Sequence, residues 1–363
     1  MKPDCLLLQL WRAPARLASL TLPEWDVLLA QADSANLTSS LYYLVNEHVA
    51  RQAMPPAVWR RLNGARVLAE RHQAAARREV GRIAIALRDT GVPLILLKGA
   101  AYTMAQLPSG QGRLYTDIDI LVPKARIGAV EAALMTHGWV ASGFDAYDQR
   151  YYREWMHEIP PMTHMRRTTT IDVHHAILPL TARVRPDSAL LLAAAVPVPG
   201  EPALYYLAPA DLVLHSATHL FFDGESDHGT RDMVDLDRLL RHFGRDPAFW
   251  AALPARAAAL QLARPLFYAL RHAIRLFATP VPAPVLAEVD RLARPGPLAL
   301  ALTDAMFART LMPSHASCQD GWSALARLGL YLRGNWLRMP PLMLARHLFH
   351  KAFISPKGDA AKV

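Results

Sequence analysis

The stretch Arg113-Leu114-Tyr115-Thr116-Asp117-Ile118-Asp119-Ile120-Leu121-Val122 decides how this chain is read. Two aspartates alternate with β-branched residues. A period of two is a strand signature, and residues two apart on a strand share a face. Asp117 and Asp119 therefore project together, while Ile118 and Ile120 point into a core. Two carboxylates on one face repel each other unless a cation lies between them or one takes up a proton. Hard oxygen ligands of this kind suit Mg²⁺. A solvated edge strand with an acidic outer face is the competing explanation for the pair taken alone, because so short a pattern arises often by chance.

The neighbouring segments add to the pair. Upstream, the apolar run Leu94–Leu97 reads as a buried strand. It ends at Lys98-Gly99 and passes into Ala100–Ala105, a stretch that favours helix. A strand, a glycine turn and a helix start bring backbone N–H groups and a positive dipole end to one point, which suits a phosphate. Lys98 adds a full charge there; a plain tight turn with a surface lysine is the alternative. Downstream, Thr168–Ile177 is another strand candidate. Asp172 sits between Ile171 and Val173, where strand propensity disfavours an aspartate. It is either a third carboxylate beside the first two or a hydrogen-bonded strand-end residue.

Further out, helical spacing covers Pro23–Ala32 and Ser40–Ala53, then resumes from residue 57 to 90. In the last of these, Leu68, Ala75, Ile83, Ala86 and Leu87 are expected to form a buried stripe. Arg66, Arg71, Arg77, Arg78 and Arg82 are expected to face solvent. Gly91 suits a C-terminal cap. The turn-rich loop Leu107–Gly112 delivers Arg113 to the acidic strand, either as a mobile loop or as a plain connection. Lys124–His137 reads as a helix. Residues 139–178 mix short strands and turns. There Tyr151, Tyr152, Trp155 and His157 read as core or pocket wall, and His157-Glu158 and His164 either reach the active site or simply pack.

Residues 179–203, rich in proline and alanine, read as a linker. Ala210–Leu220 is helical, and His215 and His219 lie four apart on one face. Ser216 follows His215 where a metalloprotease helix carries glutamate, so the pair reads as packing rather than as metal ligands. Arg231–Phe243 is an amphipathic helix with Met233, Leu236, Leu239 and Leu240 inward. Its Asp232, Asp235 and Asp237 fall on more than one face and read as charged surface. Residues 248–350 continue as helices broken by Pro280–Pro284, Pro295-Gly296-Pro297 and Pro340-Pro341. The basic, apolar end near Leu330–Ile354 reads as a docked terminal helix. A helix lying in a membrane interface would be broken at Pro340-Pro341.

A chain of 363 residues has room for two or three domains. At 52% hydrophobic residues it should fold. No apolar run reaches transmembrane length, so integral membrane association is not expected. Cys5 and Cys318 are the only cysteines. They give no disulfide framework, and a cytoplasmic location is expected. The net charge of +9 fits nucleotide, nucleic acid or an anionic surface as partner. A composition rich in Arg, Ala, Leu and Pro accounts for it equally well.

The order Leu97-Lys98-Gly99-Ala100, then Arg113-x-x-x-Asp117-Ile118-Asp119-Ile120-Leu121-Val122, then Ile171-Asp172-Val173-His174-His175 resembles the nucleotidyltransferase-fold superfamily related to DNA polymerase β. Within it, the resemblance is to the bacterial branch called the nucleotidyltransferase family 5 proteins. The likeness spans Leu94–Ile177 and continues more weakly through Leu212–His215 to His219, Arg231 and Asp235. Lys98-Gly99 stands where better known members carry Gly-Ser.

The resemblance implies an α+β protein: a small mixed-sheet core at 91–200, an N-terminal helical region at 1–90, a C-terminal helical domain at 201–354 and a tail at 355–363. It implies a metal-dependent nucleotidyltransferase, with Asp117, Asp119 and Asp172 as catalytic carboxylates and ligands for Mg²⁺ or Mn²⁺. Lys98, Gly99 and Arg113 would bind the donor, a nucleoside triphosphate such as ATP. Asp235 would orient Arg231 or a substrate group, and His219 would face the cleft. The acceptor stays open among protein, RNA and small molecule. The alternatives are a non-catalytic nucleotide- or RNA-binding module of the same fold, or another metal-dependent phosphotransfer enzyme.

Overall fold

The computed structural model of the chain describes residues 5–141, 146–222, 224, 227–341 and 343–345. At its centre the alternating segments pair into a seven-stranded mixed sheet. The strands are β1 (Leu94–Leu96), β2 (Asp117–Leu121), β3 (Trp139–Val140), β4 (Met162–His164), β5 (Thr170–His174), β6 (Val196–Val198) and β7 (Glu201–Tyr206). Their order across the sheet is β3-β4-β5-β2-β1-β7-β6. β2 runs antiparallel to β1 and parallel to β5, and β1 runs parallel to β7. Ile118, Ile120, Ile171 and Val173 are buried, as period two requires.

Residues 179–203 are not a bare linker. They hold a helix, Ser188–Ala194, then β6 and the start of β7, and β7 completes the sheet beside β1. Pro197 is tolerated because β6 is an edge strand, where a missing N–H costs no ladder bond. Pro202 precedes the β7 residues that pair with β1, Leu204–Tyr206.

The N-terminal region is helical, with Leu22–Ser34, Thr38–His48 and Pro56–Leu87 as its main elements. Thr21 and Glu24 form a reciprocal capping box at the first of these. Gly91, at φ +64°, turns the chain into β1 after the long helix. The buried stripe of Pro56–Leu87 runs through Val58, Leu62, Ala69, Ala76, Val80, Ile83, Ala86 and Leu87. Leu68 and Ala75, expected in that stripe, are exposed. Ile83, Ala86 and Leu87 are buried as expected, so only the first half of the stripe is displaced by one residue, onto Ala69 and Ala76, where alanines leave the apolar face weakly marked. Arg71, Arg77, Arg78 and Arg82 are exposed and Arg66 is partly so.

Beyond the sheet, Pro209–Phe222, Gly229–Phe243, Pro247–Ala259, Ala263–Phe277, Ala283–Ala293, Pro297–Thr310 and Ser323–Arg338 form the C-terminal helices. They pack into one continuous core with the sheet and the N-terminal helices. Gln31 ties the two ends of the chain together, accepting from Leu7 N–H at 2.9 Å and donating to Ser317 at 2.8 Å. The tail at 355–363 and part of the acidic loop after Phe222 lie outside the described residues.

Candidate active site

Strand register brings the carboxylates together. Asp119 on β2 lies directly beside Asp172 on β5, and Asp117 lies beside Thr170. Neighbouring strands are about 4.8 Å apart, and register partners in a parallel pair share a face. Asp117, Asp119 and Asp172 therefore share one face of the sheet. His174, two residues beyond Asp172, joins it.

Asp119 is buried and doubly held. Its Oδ1 accepts from Lys98 Nζ at 2.9 Å and from His174 Nε2 at 2.9 Å. Burial alone would push its carboxyl up, but the Lys98 charge and the His174 bond hold it well below the usual carboxylate range. Asp117 is shifted the other way by burial and by the Asp119 charge. Asp172 is pushed up to about 8 by burial, then by the negative charges of Asp119 and Glu158. Its Oδ1 is buried with no hydrogen-bond partner among the described residues. A buried carboxylate oxygen without a donor carries its full desolvation cost. A divalent ion would supply what that oxygen lacks; among the described residues the grouping whose ligand atoms all lie within 4.8 Å of one another is His157, Glu158 and His174, and the three aspartates share a face without being gathered that tightly.

Lys98 opens the short helix Lys98–Met104 directly after β1, with a left-handed backbone, φ +44°, unusual for a side chain with a Cβ. Burial works against its charge, yet Asp119, Asp117 and Glu158 around it raise its pKa above the ordinary lysine value. The lysine thus lies on a carboxylate of the site and neutralises part of it. Gly99 is required by close approach: a Cβ there would stand 2.7 Å from Arg113 Nε and 2.9 Å from the Tyr115 ring. Arg113 is ion-paired with Asp235 and lies 5.6 Å from the Tyr102 ring centroid.

Asp232, Asp235 and Asp237 are all buried, so the expected charged surface is a buried acidic edge instead. The phase of the helix is as expected, with Met233, Leu236, Leu239 and Leu240 inward. Its polar side is covered by the loop Leu107–Gly112. Ser109 Oγ donates to the Asp235 carbonyl at 2.9 Å, and Gln73 donates to the Gly110 carbonyl at 2.7 Å. Arg238 reaches the Gln111 carbonyl at 3.1 Å. At Gly112, φ +73°, a Cβ would meet the Ser40 backbone nitrogen at 2.5 Å. The loop is therefore a pinned connection rather than a mobile cover. Asp235 holds Arg113, while Arg231 pairs with Asp232 at 2.9 Å.

Reasoning from sequence passed over three residues at the site. His174 carries a signal that was in plain view: it follows Asp172 by two in the same strand. Glu158 Oε2 lies 3.2 Å from His174 Nδ1, placed by a backbone bridge between Glu158 and His174. His157 stacks at 5.2 Å from the His174 ring. His215 is buried and held neutral by burial and by the nearby Lys98 charge, in keeping with a packing role. His219 is exposed. His164 is structural: its Nδ1 accepts from the Arg166 and Arg167 backbone N–H groups at 3.1 and 3.2 Å.

A mixed sheet flanked by helices, with an acidic pair on one strand and a third aspartate on its parallel neighbour, defines the nucleotidyltransferase class of fold. A family model described as an uncharacterised nucleotidyltransferase matches residues 21–278, and the chain belongs to that family. The match takes in every strand of the sheet and the helices that carry His215 and Asp235. No curated protein matches the chain. Among the described residues no helix is long and apolar enough to cross a membrane.

Proposed function

We propose that this protein transfers a nucleoside monophosphate from a nucleoside triphosphate to an acceptor hydroxyl or phosphate, with release of pyrophosphate, in a reaction that depends on Mg²⁺ or Mn²⁺. The observation that carries the reading is the buried, unpartnered Oδ1 of Asp172 on the same face as Asp117 and Asp119. Asp117, Asp119 and Asp172 would hold the ion. Bound there, it supplies Lewis-acid stabilisation of charge on the transferring phosphoryl group.

The remaining roles belong to side chains of the chain itself. The Lys98-Gly99 turn, with Arg113 packed against Gly99, offers two cations for the donor phosphates. Arg113 is fixed by Asp235, so its charge is pre-positioned at little entropic cost. Asp172 would either complete the ion's ligand set or take the acceptor's proton. Asp119 is held ionised by Lys98 and His174 and stays a ligand throughout.

The test is incubation with each labelled NTP, Mg²⁺ or Mn²⁺ and cell extract, comparing the natural chain with the double substitution Asp117→Ala/Asp119→Ala. Label transfer and pyrophosphate release lost in the double variant support the reading; equal labelling by both proteins overturns it. Nucleotide with Mg²⁺ should also raise the Tm of the natural chain, and Lys98→Ala should shrink that gain.

A further inference from the structure

We propose that His157, Glu158 and His174 form a second cation site, for a divalent transition metal of the zinc or cobalt class, beside the carboxylate site and joined to it through the His174 ring. One ligand atom from each residue lies within 4.8 Å of the others. The backbone fixes this grouping. His175 N–H donates to the His157 carbonyl at 2.8 Å, Ile159 N–H donates to the Val173 carbonyl at 3.1 Å, and Glu158 bridges to His174 between them. Three residues adjacent in one segment and at the end of β5 are thus locked side by side.

The chemistry of the donors sets the class of ion. Two imidazoles and one carboxylate are a borderline set that zinc and cobalt accept, whereas Mg²⁺ keeps to oxygen. His174 Nε2 faces the Asp119 carboxylate, so that nitrogen carries the proton and Nδ1 is left toward Glu158. A metal-bound imidazole whose other N–H is held by a carboxylate is the arrangement that fixes a ligating histidine's tautomer. His157 has a buried ring nitrogen, Nδ1, with no hydrogen-bond partner among the described residues. Without an ion, the arrangement is an imidazolium clamped between Asp119 and Glu158.

That alternative makes the inference testable independently of the transferase reading, which relies on oxygen ligands and Mg²⁺. The full chain, labelled with ¹⁵N-histidine and kept in excess Mg²⁺, is titrated with Zn²⁺ while the ring nitrogens are followed by NMR. The expected result is one metal-bound nitrogen on His157 and one on His174, with His174 keeping a single N–H. Two N–H signals on His174, unchanged at saturating Zn²⁺, overturn the proposal. In a second arm, Co²⁺ should bind with visible absorption bands. His157→Ala should remove them, and Glu158→Gln should weaken binding by about tenfold or more. Identical Co²⁺ binding in His157→Ala also overturns it. The NMR arm needs no substitution, so it decides even where a variant fails to fold. Label transfer with Mg²⁺ alone reports on the carboxylate site and leaves the Zn²⁺ readout untouched.

Discussion

Two carboxylates set into the protein at β5, the buried Glu79 and the half-buried Asp172, are treated in opposite ways. Glu79, on the helix Pro56–Leu87, has every acceptor position answered. Arg167 donates to it at 2.8 and 2.9 Å, and Thr169 donates at 2.7 Å. Burial would raise its pKa, and those donors bring it below the usual value instead. Asp172, three residues past the Thr169 that Glu79 holds and half-buried beside the buried Asp119 and His174, keeps an oxygen with no donor among the described residues and is pushed up to about 8. Both carboxylates lie against β5 and its leading turn, so the strand itself does not explain the difference. Glu79 is paired as structural charges are paired, with the cost of burial met by hydrogen bonds. Asp172 carries that cost unmet, and such unmet costs cluster where a ligand is to be received.

The comparison is broken most directly at Asp172. Asp172→Asn keeps the volume and removes the charge. Label transfer should fall by on the order of a thousandfold, about 4 kcal/mol of barrier. The measurement is initial rate at saturating NTP and Mg²⁺. Activity within a few-fold of the natural chain would place Asp172 with Glu79, as scaffold.

Arg167→Met is the converse. It leaves Glu79 buried without its main partner, and it strips the cation lying 4.9 Å from the Trp139 ring centroid. Breaking a buried pair from one side costs about 3 kcal/mol. Denaturant unfolding should show that loss, while the specific activity of the folded fraction stays unchanged. A drop in activity that outlasts correction for folded protein would mean that the Glu79 clamp also positions the site.

How much of this was legible beforehand follows the distance over which each feature is encoded. β1, β2 and β5, the Lys98-Gly99 turn and the shared face of Asp117 and Asp119 come from local period-two patterns and were read with nearly the right bounds. The neighbourhood of Asp172 was left open, because a strand pattern does not state which strand lies next to it. The β1–β7 pairing joins residues more than a hundred positions apart, and Pro197 and Pro202 disguised the second strand as linker. Asp235 was misread for a similar reason. An amphipathic helix announces its polar side, but only the fold shows that Ser109 and Arg113 cover it. His174 shares the face of Asp172 by the same rule of two that pairs Asp117 with Asp119, but only the β2–β5 register sets its ring against the Asp119 carboxylate.

The pH dependence of stability separates function from scaffold most cleanly. In the metal-free protein, the pKa of Asp172 in the folded state, about 8, lies above its unfolded value of about 3.9. Folding is therefore favoured with the proton on. That contribution is fully present below about pH 4 and is lost as pH rises through 8. An asparagine mimics the protonated form and has nothing to lose. Below about pH 4 the metal-free Tm of Asp172→Asn should match that of the natural chain, and the gap should open steadily between pH 4 and 8. At pH 9 it should exceed it, by roughly 2–4 °C for each kcal/mol removed. Adding Mg²⁺ should reverse the ranking at pH 9, because only the aspartate gains a ligand to the ion. Glu79→Gln should behave oppositely at pH 9, falling below the natural chain with or without Mg²⁺, since its carboxylate is the form that the fold holds. Were both variants to shift alike, the unmet oxygen at Asp172 would carry no more meaning than any other buried acid.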